Sequence, residues 1–145
     1  MYDFMLELLI GKWSDFINSF SPDEVEMEAA KKVQVLFENQ YLTIGATMFL
    51  LVAVTWVLYY LWLNNLPGLF YKSKYWTMAG ICCTVLTGIV TFFIIKLQID
   101  INIPFTRYLI GIVLINCVYS MIAYFLFSIF LNGFTNAKTT PFKLF

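Results

Sequence analysis

The chain has 145 residues, of which 61 % are hydrophobic and 19 % aromatic, and its formal net charge is zero. Both fractions lie far above soluble norms, and no basic surface of the kind that binds nucleic acid is present. All 18 charged side chains lie outside three uncharged runs, Asn39–Tyr71, Tyr75–Ile95 and Tyr108–Ala137. Each run can cross a bilayer, because a helix rising roughly 1.5 Å per residue needs about 20 residues to cover roughly 30 Å of hydrocarbon. The expected fold is therefore an all-α integral membrane protein with three transmembrane helices.

Residues 2–20 read as one amphipathic helix. Asp3, Glu7, Gly11, Ser14, Asp15 and Asn18 recur along one side, and Met5, Leu6, Leu9, Trp13, Phe16, Ile17 and Phe20 fill the other. Helices that lie on membranes usually carry Lys and Arg on the polar face. Here acids outnumber the single Lys12. The expectation is therefore docking against protein, through Leu6, Leu9, Trp13 and Phe16 with Asp15 beside them. The same acids stand where a cleavable signal would have its basic region, so none is expected.

Ser21-Pro22-Asp23-Glu24 is a helix start: a capping serine, a proline at the first helical position and a glutamate that closes a capping box. No breaker follows before Pro67. A continuous helix is predicted from Pro22 to about Leu63, its first half forming an acidic hairpin with residues 2–20 outside the bilayer core, and its second half being the first span. Residues 1–41 would form that hairpin and residues 42–131 the membrane domain, with spans at about 42–63, 75–95 and 108–131. Residues 132–145 would be a flexible tail.

Asn64-Asn65-Leu66-Pro67-Gly68 ends the first span with turn chemistry, and Trp62, Phe70, Tyr71, Tyr75 and Trp76 form an aromatic belt around it. Leu97-Gln98-Ile99-Asp100-Ile101-Asn102-Ile103 alternates apolar and polar residues, which fits an extended loop or a short pairing strand. With three spans the termini fall on opposite sides. Lys72 and Lys74 follow the first span without acids, so the expected orientation is N-terminus outside and C-terminus inside a bacterial inner membrane.

Within the spans, Thr77, Gly80, Thr84, Thr87 and Thr91 follow at steps of three and four and make a small, mildly polar seam. Such a seam lets helices approach closely, or lines a pore. Asn116, with Ser120 one turn on, should face protein, because an unpaired amide in hydrocarbon is costly. Cys82, Cys83 and Cys117 read as small apolar residues. The chain has no histidine, and no Asp, Glu, Lys or Arg falls in a span. It carries no nucleophile–base pair, metal-ligand spacing or phosphate loop, so neither an enzyme, a cofactor nor a small-molecule substrate is expected.

The function these features suggest is a non-catalytic membrane subunit. It would anchor or scaffold a larger complex, such as a secretion or injection apparatus. Its partners would be lipid and either copies of itself or other proteins. An oligomeric, holin-like pore is the alternative, and a small transporter is third.

Overall fold

The computed structural model describes residues 2–21, 24–63, 73–98 and 105–131. All the regular structure among them is helical: α1 (Tyr2–Leu9), α2 (Trp13–Asn18), α3 (Glu24–Val57), α4 (Ser73–Gln98) and α5 (Thr106–Leu131), with a π-helical turn at Leu58–Trp62 continuing α3. Three stretches are long and apolar enough to cross a membrane: Glu24–Trp62, Lys74–Gln98 and Thr106–Phe130. The two 25-residue stretches rise about 37 Å at about 1.5 Å per residue. They begin one or two residues before the uncharged runs because Lys74 and Arg107 fit the polar first turn of a helix.

The N-terminal segment departs from expectation. Residues 2–20 are not one helix. The chain breaks at Gly11, whose φ is +112°. Only glycine adopts that region without strain, and the side of the helix that Gly11 seemed to share with the polar residues is interrupted there. Trp13 then begins α2, and Ser19 closes it with backbone N–H bonds to the carbonyls of Asp15 and Phe16.

The long helix is uninterrupted from Glu24 to Val57. Glu24 and Glu26 sit in its first turn, where carboxylates oppose the positive end of the helix dipole. Exposed pairs one turn apart support this segment: Lys32 Nζ lies 3.2 Å from Glu28 Oε1, and Gln34 Nε2 donates to Glu38 Oε1 at 2.7 Å. Pro22 and Asp23 of the expected cap lie outside the described residues, as do Asn64–Tyr71, Ile99–Ile103 and the tail. Leu97 and Gln98, expected to open an extended segment, are the last residues of α4.

The chain divides into two compact units, Met1–Ala46 with Gly88–Asn116, and Thr47–Thr87 with Cys117–Phe145. In the first, Ala30, Val33 and Phe37 of α3 are buried, together with Leu6, Trp13, Ile95, Phe105, Tyr108 and Ile112. Trp13 joins them: its indole stacks on Tyr108 at 4.0 Å between centroids and meets Phe37 edge-on at 5.6 Å. The Tyr108 hydroxyl donates to the Lys12 carbonyl at 3.2 Å. Gly111 is a close-approach position, since a Cβ there would run into Ile10 and Leu6.

In the second unit, Met48, Val52, Cys83, Ala123 and Tyr124 form one cluster, and Trp56, Tyr59 and Tyr60 another. Met48, Val52, Trp56 and Tyr60 recur every four residues. That repeat outruns the α-helical turn of about 3.6 residues, so the buried stripe drifts around the helix. The chain widens into the π turn where the drift has accumulated, and Tyr59 and Tyr60 are both buried there.

Candidate functional site

Asn116 is the polar centre of the first unit. It is fully buried. Its Nδ2 donates to Thr91 Oγ1 at 2.7 Å, and its Oδ1 accepts the Tyr2 hydroxyl at 2.9 Å. Tyr2 is held in turn by its ring, which stacks on Tyr41 at 5.1 Å. One side chain from each of α1, α4 and α5 thus closes a bonded chain in otherwise apolar surroundings. The cost of an unpaired amide in hydrocarbon marked Asn116 as facing protein, and periodicity placed Thr91 on the threonine seam. Tyr2 was missed, because nothing local ties residue 2 to residue 116.

This network yields a quantitative expectation. Tyr2→Phe should cost about 1 kcal/mol, the usual net worth of one such bond. Asn116→Leu should cost more, roughly 1–3 kcal/mol, because it removes both of these hydrogen bonds from a buried position. A double-mutant cycle, followed by reversible unfolding in mixed micelles, should return a non-zero coupling energy. Strict additivity would mean that the Tyr2–Asn116 bond contributes nothing.

The threonine seam does not act as one face. Thr87 and Thr91 are buried, Gly80 and Thr84 are half-buried, and Thr77 is exposed. Thr84 and Thr87 turn their hydroxyls back to the Gly80 and Cys83 carbonyls, each at 2.9 Å. Such hydroxyls satisfy themselves on the preceding turn of their own helix, so neither needs a partner across the seam. Ser120 also bonds back to its own helix, to the Cys117 carbonyl three residues earlier at 2.8 Å. The Cys117 thiol reaches the Thr84 carbonyl at 3.5 Å, and all three cysteines are free thiols.

Gly80 has a specific steric role. A Cβ there would meet the Tyr124 ring at 3.0 Å, and Tyr124 itself donates to the Trp76 carbonyl at 3.3 Å. The indole N–H of Trp76 donates to Ser128 Oγ at 3.0 Å. Trp76, expected in an aromatic belt, therefore bridges α4 and α5 within the second unit, while Trp62 is exposed. Gly80→Leu should force the Tyr124 ring aside and cost about 1–3 kcal/mol as overpacking. Gly80→Ala should cost less, and equal stability of the two variants would contradict the close approach.

The N-terminal docking residues are placed differently from expectation. Leu6 and Trp13 are buried inside the first unit and Phe16 is half-buried, its ring 4.8 Å from Tyr108. The apolar face meant for a partner is covered by the chain's own helices, because Gly11 lets α1 and α2 fold onto them separately. Leu9 and Asp15 remain exposed. No group of three or more His, Cys, Asp or Glu side chains among the described residues is arranged to hold a metal ion.

These features define a class: a chain helical in all the regular structure of its described residues, with three helices of membrane-spanning length and inward-turned polar side chains. Compared with known proteins, the chain matches no family model, no curated protein and no solved structure.

Proposed function

We propose that this chain is a non-catalytic integral membrane subunit that crosses the bilayer three times and anchors or scaffolds a larger complex. The observation that carries this reading is the inverted polarity of the long helices. Within the uncharged runs most exposed positions are apolar, as at Ile81, Leu86, Phe93, Leu114 and Met121, whereas Thr87, Thr91, Asn116, Ser120 and Ser128 are buried. Lipid solvates such an outer face, and internal hydrogen bonds remove the penalty for the polar groups.

With Leu6 and Trp13 occupied internally, a surface open to a protein partner among the described residues is the exposed acidic start of α3, where Glu24, Glu26 and Glu28 stand beside Val25. A basic protein face suits it. In this reading the membrane is a bacterial inner membrane with the N-terminus outside, and the complex is a machine such as a secretion or injection apparatus.

A pore is the second reading. It is favoured by Thr77 and Thr84, which are not buried and would line a channel if several copies assembled around them. Dye release separates the two. Purified chain in vesicles should leak no faster than empty vesicles. Concentration-dependent release would replace the anchor with the pore.

A further inference from the structure

We propose that the second unit holds one anionic phospholipid, its acyl chain lying in a groove between α4 and α5 and its phosphate at Lys74. The proposal rests on the membrane reading above. The groove has a cavity volume of about 390 Å³, within the range of roughly 300–1,000 Å³ typical of ligand sites. Trp76, Gly80, Thr84 and Val85 form one wall, and Met121 and Phe125 stand on the other. Gly80 keeps the floor low, because a Cβ there would meet the Cδ1 and Cε1 atoms of the Tyr124 ring at 3.0 Å.

The lining selects an apolar and slender occupant. The Thr84 hydroxyl, the Trp76 N–H and the Tyr124 hydroxyl are each bonded within the unit, so none requires a polar ligand. A partner helix is a poor fit, since close helix packing in membranes wants small residues on both walls. Here the α5 wall carries Met121, Ile122 and Phe125. An acyl chain can fill the space between such side chains.

Charge completes the site. Lys74 lies one helical turn before Thr77, which lines the groove, and so stands at its end on the same face. Lys74 is exposed, and its Nζ lies 4.8 Å from the Tyr75 ring centroid. It pairs with no carboxylate among the described residues. Lys74 also belongs to the first turn of a 26-residue helix, whose positive dipole end attracts a phosphate.

The test uses the full chain in vesicles of equimolar dioleoylphosphatidylglycerol and dioleoylphosphatidylcholine, with bound lipid read by native mass spectrometry after mild detergent release. One phosphatidylglycerol should be retained, with a preference of roughly fivefold, the effect of about one lysine near an anionic headgroup. Lys74→Gln should erase the preference. Val85→Trp should fill the groove and lose both lipids, and Met121→Trp should repeat that result from the opposite wall. Leu86→Trp, exposed on α4 and outside the lining, should retain lipid as the native chain does.

No retained lipid on the native chain, unchanged retention in both filling variants, or a preference indifferent to Lys74 would overturn the proposal. The membrane reading is scored separately on the same vesicles. A chain that floats with them after alkaline carbonate is integral whatever the lipid result, and a chain that washes off removes the membrane reading itself.

Discussion

Trp13→Ala should destabilise the chain by about 3–5 kcal/mol, the range for truncating a buried tryptophan. The indole is 7 % exposed and holds α2 to both α3 and α5, stacked on Tyr108 and edge-on to Phe37. Without it the N-terminal segment loses its largest contact. Trp13→Phe should cost far less, under about 1.5 kcal/mol. The ring contacts are largely kept, and the buried Trp13 N–H has no acceptor among the described residues, so no hydrogen bond among them is lost. Unfolding in mixed micelles measures both costs. Limited proteolysis near Gly11 reports the same release locally, with Ala cleaved much faster than Phe. Equal behaviour of the two variants would show that the stack does not hold the segment.

The second large effect is expected from Val35→Pro. Val35 lies inside α3 and is 54 % exposed, so the loss comes from the backbone rather than from packing. Proline removes one i→i−4 hydrogen bond and its ring clashes with the preceding turn, at a cost of about 3 kcal/mol or more. Val35→Ala isolates that backbone term, since alanine favours the helix. Spin labels at positions 24 and 42 should lie about 27 Å apart along an unbroken α-helix at about 1.5 Å per residue. Allowing for the label linkers, the native distribution should be narrow, and Val35→Pro should shorten and broaden it. A broad distribution in the native chain would contradict the continuity of α3.

The parts of this fold that sequence reveals are those governed by one-dimensional rules. Three uncharged runs locate three long helices, because charge is costly in hydrocarbon and helices satisfy their own backbone. The absence of Gly or Pro breakers between Glu24 and Gly45 carries α3 past Asn39. Asn116 is inward-facing for the same reason that any amide in an apolar run should be. What stays hidden depends on three-dimensional partners. Gly11 occupies a plausible position on a helical wheel, and only its φ of +112° reveals a break. Leu6 and Trp13 form the apolar face of a predicted docking helix, yet the residues that cover them, such as Gly111 and Tyr108, lie about a hundred positions away. The Tyr2–Asn116 bond has the same character. Thr84 and Thr87 show a different limit: their spacing aligns them along one seam, but whether each hydroxyl bonds across it or back to its own helix depends on the side-chain rotamer.

The anchor reading is tested most directly by the mass of the particle that contains the chain when its native membranes are dissolved in a mild detergent. The protomer is 16.9 kDa. The expected result is a particle whose protein mass, with bound detergent subtracted, is several times that of the protomer and persists through dilution and size separation. Replacing Glu24 and Glu28 with lysine should break it down, with the native particle itself weakening as salt rises, because exposed charges are screened over about 8 Å at physiological ionic strength. A native chain recovered as a single detergent-bound protomer would contradict the role as an anchoring subunit.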